Sequence, residues 1–317
     1  MNIEDVIVEK EIKIVFMGTP QFSVPVLQGL IDNYSVKAVV TQPDKLVGRK
    51  AVLTPSPIKK CANENNILVL QPRNIKEEYE EIIALNPDLI ITCAYGQIIP
   101  KELLDYPKYG CINVHASLLP KLRGGAPIHR AIINGDKKTG ITIMYMDETM
   151  DSGDIIKQRS IDIDEDDTAS KLHEKLSILG RDLLLETLPS IIEGSNERIK
   201  QDINEVTYAF NIKPEDEKID FSKTKRQIYN QIRGLYSFPG AYCLMDGKRL
   251  KIWKAKEGEN IYSNRIDGEI SKIYTDGIGV KVSNGEIIIL ELQLEGKNKM
   301  SAKEFANGKQ LEGKILN

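Results

Sequence analysis

Ile12-Lys13-Ile14-Val15-Phe16-Met17-Gly18-Thr19-Pro20 is a short apolar run that stops at a glycine, and residues 24–30 behind it repeat apolar side chains at helical spacing. Together they predict a strand, a tight turn and a helix. The alternation continues, with strands predicted over residues 36–41, 68–70 and 88–93 and helices over 57–64 and 77–85 between them. Consecutive strands joined through helices are parallel and need right-handed crossovers. The expected fold class is therefore α/β, a Rossmann-like, doubly wound and mainly parallel sheet. Further along, the spacing predicts strands at 110–115 and 139–146, a helix at 127–134 and one long amphipathic helix at 167–193.

Beyond that helix the texture changes. Residues 196–213 are polar and weakly periodic, which predicts a linker. From residue 240 onward, short alternating segments are punctuated by glycine, as in Leu250-Lys-Ile-Trp-Lys254 and Glu286-Ile-Ile-Ile-Leu-Glu-Leu292. They predict a small OB-like β-barrel. The expected organisation is a first domain over 1–195, a linker over 196–213 and a C-terminal barrel domain over 214–317.

With 317 residues, 28% of them charged and 41% hydrophobic, the chain has the composition of a globular protein with enough apolar mass for two cores. Residues up to Val206 carry 24 Lys+Arg against 31 Asp+Glu, whereas the remainder carries 19 against 15. An acidic part followed by a mildly basic one permits a polyanionic partner. No apolar run approaches the ~20 residues of a membrane helix, and residues 1–11 lack the pattern of a signal segment. No membrane partner and a cytoplasmic location are expected. Cys61, Cys93, Cys111 and Cys243 are widely separated, and His115, His129 and His173 have no ligand spacing, so no metal is expected. The first turn lacks GxGxxG, so no NAD is expected either.

Two stretches carry chemistry. In Asn113-Val-His115-Ala-Ser117-Leu-Leu-Pro120, strand alternation puts Asn113 and His115 on one face at the carboxyl end, where open α/β sheets keep their sites. An amide can donate to a developing oxyanion and an imidazole can move a proton. A strand-end Asn beside a structural His remains the alternative. Asp147-Glu-Thr-Met-Asp151-Ser-Gly-Asp154 reads as a solvated acidic turn, as a weak divalent-cation site that lacks EF-hand spacing, or as the source of a carboxylate that orients His115. Residues 41–57 form a long irregular connection with Lys45, Arg49 and Lys50, which reads either as an exposed basic loop or as a grip on phosphate. His129 and His173 read as structural or solvated, and Trp253 as barrel core or an interdomain contact.

Asn113 to Pro120, the Arg123-Gly-Gly-Ala-Pro127 continuation, and Gly140-Ile-Thr-Ile-Met-Tyr-Met-Asp147 running on to Asp154 resemble the signature of folate-dependent formyltransferases. Phe16-Met-Gly-Thr-Pro20, Thr41-Gln-Pro-Asp44, Ala94-Tyr-Gly96, Val206-Thr-Tyr-Ala209 and Ile252-Trp-Lys-Ala255 extend the resemblance over nearly the whole chain, toward the members that formylate methionyl initiator tRNA. The resemblance implies a catalytic trio of Asn113, His115 and Asp151. It implies folate contacts from Ser117, Leu118, Leu119, Pro120 and Asp147, and tRNA contacts from Lys45, Arg49, Lys50 and the barrel. 10-Formyltetrahydrofolate would be the co-substrate, initiator methionyl-tRNA the acceptor, and the protein a monomer. The rival within the family acts on a small amine, such as glycinamide ribonucleotide or a nucleotide-linked amino sugar. The rival outside it is an RNA-binding protein on a dead enzyme fold.

Overall fold

A computed structural model describes residues 12–48 and 50–317. The expectation for Arg49 and that for residues 1–11 lie outside the described residues. Strand β1 (Ile14–Gly18) and strand β6 (Leu89–Cys93) are buried along their whole length. That is why both read as unbroken apolar runs instead of alternating ones. They are the centre of a seven-stranded sheet ordered β5-β2-β1-β6-β7-β8-β9, with β2 at Val36–Val40, β5 at Leu68–Leu70, β7 at Cys111–His115, β8 at Lys138–Tyr145 and β9 at Ile155–Asp162. Pairing is parallel from β5 through β7 and antiparallel between β7 and β8. The chain steps outward from β1 to β2 and β5, then returns to the other side for β6 and β7. The order reverses between β1 and β6, and the crevice at such a switch point lies beyond the carboxyl ends of the strands.

Two differences from expectation bear on function. Residues 45–54 form a two-stranded hairpin, β3 (Lys45–Val47) with β4 (Val52–Thr54), not an irregular connection. Its Leu46, Val47, Val52 and Leu53 are all more than half exposed, so no buried face signalled a strand. The helix expected at 77–85 is shorter, Glu80–Ala84.

The second sheet is antiparallel, ordered β10-β11-β14-β13-β12, with strands at Tyr242–Met245, Lys248–Gly258, Gly285–Leu294, Ile278–Val282 and Ile270–Ile273. β15 (Met300–Ser301) adds to β14. Register shifts between Ile252 and Ala255 curl the long β11. The tail spans the gap between the outer strands: Ile270 N–H donates to Lys314 O at 2.8 Å, while Leu244 and Asn317 exchange backbone hydrogen bonds at 2.6 and 3.0 Å. Helix Lys225–Gly234, opened by a Thr224/Gln227 capping box, packs Ile228 and Ile232 into this core.

The chain divides into two compact units with interleaved sequence. Among the described residues, the first takes 12–48, 50–127, 139–161 and 173–209; the second takes 128–138, 162–172 and 210–317. Residues 196–209, expected within a linker, pair with the first unit through Ile199–Ile155 and Tyr208–Arg123 bridges. No helix among the described residues is long and apolar enough to cross a membrane.

Candidate active site

Strand register sets the first two side chains. Thr92 of β6 lies beside Asn113, and Thr142 of β8 beside His115. Thr92 Oγ1 donates to Asn113 Oδ1 at 2.8 Å. With its oxygen engaged, the half-buried Asn113 keeps Nδ2 as a donor with no partner among the described residues. His115 is buried. Its Nε2 donates to the Leu122 carbonyl at 3.1 Å, and Nδ1 is 3.6 Å from Asp151 Oδ1.

Asp151 reaches the strand end because its loop doubles back. Its own φ is +51°, and a Cβ at Gly153 would lie 2.0 Å from the Tyr145 carbonyl, so a glycine is required there. Asp151 Oδ2 accepts the Gly124 N–H at 2.8 Å. Asn113, His115 and Asp151, drawn from two separate segments, are thus brought to one strand end.

The 120–126 loop completes the wall. Leu122 N–H donates to Thr207 Oγ1 at 2.9 Å, Arg123 N–H to Thr207 O at 2.9 Å, and Ala126 N–H to Ala209 O at 3.0 Å. Sequence reasoning missed these partners because a polar stretch with weak periodicity shows nothing of where its carbonyls will pair. Thr92 was likewise missed, being one apolar-strand residue among many.

Ser117 and Leu119 are buried, and Leu118 and Pro120 are half-buried. Ser117 Oγ donates to Lys121 O at 2.6 Å, and Thr142 Oγ1 donates to Ser117 O at 2.6 Å. Gln158 Nε2 donates to Leu119 O at 2.8 Å. The segment is therefore a rigid turn, held from β8 and β9, that precedes the loop over His115. Asp147 is exposed and accepts the Glu148 N–H at 2.7 Å. Lys45 and Lys50 are exposed on the β3–β4 hairpin. His129 Nδ1 pairs with the Gly234 carbonyl at 2.7 Å, and His173 packs edge-on against Phe22. Burial raises the Cys93 thiol to about 12, and Cys111 is raised by burial as well; both stay protonated near neutrality and offer no nucleophile. Among the described residues, no group of His, Cys, Asp and Glu could hold a metal ion.

A formyl transferase family model matches residues 12–188, and the model of the family's C-terminal domain matches residues 211–310. The chain belongs to the formyl transferase family. This formyl transferase is similar to a methionyl-tRNA formyltransferase of Bacillus subtilis, 53% identical over 309 residues that cover 96% of this chain and 97% of the relative. Two solved structures share its fold. One is a sugar 3N-formyl transferase, WlaRD, determined in the presence of dTDP and 5-N-formyl-THF, at 24% identity and TM-score 0.63 over 90% of this chain and 99% of that one. The other is a methionyl-tRNA formyltransferase from Clostridium thermocellum, at 23% identity and TM-score 0.55 over 78% and 94%. Residues 189–210 of this formyl transferase, which supply the Thr207 contacts, fall between the two matched stretches.

Proposed function

We propose that this formyl transferase moves the formyl group of 10-formyltetrahydrofolate onto the α-amino group of initiator methionyl-tRNA, giving N-formylmethionyl-tRNA. The observation that carries this reading is the 53% identity with a methionyl-tRNA formyltransferase, held over 96% of one chain and 97% of the other. That identity runs through both units and is about twice the 24% shared with the sugar formyl transferase WlaRD, which matches a similar share of the chain. The folate reading draws on the formyl-THF present in the WlaRD structure and on the rigid Ser117–Pro120 turn beside the reacting residues.

The neutral α-amine attacks the formyl carbon. A C–N bond forms, negative charge moves to the formyl oxygen, and collapse breaks the bond from that carbon to N10. One proton leaves the amine and one reaches N10. Asn113 Nδ2 supplies a donor to the oxygen, fixed in direction because Thr92 holds the other end of the amide. His115 Nε2 is bonded to the Leu122 carbonyl in its present ring position; to reach the formyl oxygen it exchanges that acceptor for the substrate's. Asp151 faces the opposite ring nitrogen, keeps the imidazole oriented during the exchange, and polarises the water that carries the amine proton. Lys45 and Lys50 on the hairpin and, by the sequence resemblance, Arg49, together with the C-terminal unit, contact tRNA phosphates in this reading.

The test is to offer 10-formyltetrahydrofolate with charged initiator tRNA, charged elongator tRNA, glycinamide ribonucleotide and a nucleotide-linked amino sugar in parallel, following transfer of labelled formyl. Preferential labelling of initiator methionyl-tRNA is expected. Equal or faster labelling of a small amine overturns the proposal.

A further inference from the structure

We propose that Gln201 is a positioning residue for the formyl-transfer site, holding the Asp151 loop so that its carboxylate stays between His115 and Gly124. The inference rests on the assignment of Asp151 made above, and extends it to a residue outside both family-model matches. Gln201 Nε2 donates to the Asp151 carbonyl at 2.9 Å and to the Gly153 carbonyl at 2.8 Å. Its Oε1 accepts from Arg123 Nε at 3.0 Å and Nη2 at 2.7 Å. One amide thus links the two loops that meet at His115.

The direction of the amide is decided by Arg123. Arg123 as a whole is 9% exposed, and its guanidinium makes no ion pair among the described residues. A guanidinium only donates, so it draws the amide oxygen toward itself and turns the amide nitrogen onto the two carbonyls. The neighbouring backbone acts in concert: Gly124 N–H, one residue after Arg123, holds Asp151 Oδ2 at 2.8 Å. Asp151 sits at φ +51°, a left-handed conformation uncommon for residues with a Cβ though tolerated by Asp, which surrounding hydrogen bonds help to hold. Gln201 supplies such contacts on both sides of the turn. A glutamate at this position would form an ion pair with Arg123, but it would face the carbonyls with oxygen and bring a second carboxylate toward Asp151. The chemistry of the site therefore calls for an amide.

The experiment uses the full chain with Gln201→Glu, Gln201→Ala, Asp151→Ala and the Asp151→Ala/Gln201→Ala double variant. Readouts are kcat, KM for both substrates, thermal midpoint and amide exchange at Gly124. Gln201→Glu is expected to keep the thermal midpoint through its pair with Arg123, yet to lose about 10- to 100-fold in kcat with both KM values within about threefold. Gln201→Ala is expected to lose a similar factor in wild type but less than about threefold more in the Asp151→Ala background, since both act through one carboxylate. Exchange at Gly124 is expected to quicken about tenfold in both Gln201 variants. Wild-type kcat in Gln201→Glu, full additivity in the double variant, or unchanged Gly124 exchange overturns the positioning role. Retained turnover in Asp151→Ala alone overturns the earlier assignment of Asp151 instead, and Gly124 exchange still decides whether Gln201 holds the loop.

Discussion

Gly124 shows how narrowly single residues define the site. At φ +121°, with a built Cβ only 2.8 Å from the Ala209 carbonyl, the position admits no side chain without moving the segment that also carries Thr207. The Gly124 N–H would move with it, and Asp151 would lose its backbone donor. The same economy holds for Asn113, whose amide is directed by one hydroxyl, and for His115, bonded to one carbonyl and facing one carboxylate at 3.6 Å. Asn113→Ala, His115→Ala and Asp151→Ala are each expected to lower kcat by about 100-fold or more, with tRNA affinity changed by less than about threefold. Single-turnover kinetics at saturating folate, with tRNA binding measured separately, checks this. A variant whose loss lies in tRNA affinity alone is not part of the chemistry.

Among elements, the β3–β4 hairpin is the one whose form serves no core. Four apolar side chains face solvent on a two-stranded ribbon, with Lys45 and Lys50 beside them. In the proposed function, that combination suits a nucleic-acid contact through phosphates and exposed bases. Replacing Lys45 and Lys50 together with alanine is expected to raise KM for tRNA and to reduce by about two the slope of log affinity against log salt, with KM for folate unchanged. A salt titration of tRNA binding reads both terms; an unaltered slope removes the hairpin from the tRNA interface. The basic residues were legible in sequence, but the hairpin was not. Its apolar residues are exposed, so they leave no one-sided burial pattern. Helix Lys225–Gly234 was hidden for a related reason, since among its ten residues only Ile228 and Ile232 are buried hydrophobics.

At the scale of the whole molecule, each compact unit is built on its own sheet, and the second has an unusual polar centre. Glu286 on β14 is fully buried and accepts from Ser271 Oγ at 2.5 Å, Tyr274 Oη at 2.8 Å, Tyr262 Oη at 3.1 Å and Asn260 Nδ2 at 3.3 Å. Gly258 and Gly279 make room for it, since a Cβ at either would lie within 2.6 Å of its carboxylate oxygens. One carboxylate therefore ties β14 to Ser271 of β12 and to the segments that follow β11 and β12. Glu286→Ala leaves the buried Ser271 hydroxyl and the half-buried Tyr262 and Tyr274 hydroxyls without this acceptor, and is expected to cost about 2 kcal/mol of stability. Urea unfolding followed by Trp253 fluorescence measures it; a loss below about 0.5 kcal/mol contradicts this role.

The sequence by itself determined the doubly wound sheet, the glycine-punctuated strands of the second unit, and the placing of Asn113 and His115 on one face. These follow from periodicity and composition within a few residues, which the covalent chain carries regardless of its surroundings. Only the tertiary structure decided that Asp151 reaches His115, that residues 199–209 wall the site, and that Gln201 joins its two loops. It also decided that residues 128–138 and 162–172 pack with the second unit. Those outcomes depend on hydrogen bonds and close approaches between residues as much as 105 positions apart, as from His129 to Gly234, and a polar side chain carries no local mark of the distant partner that will satisfy it.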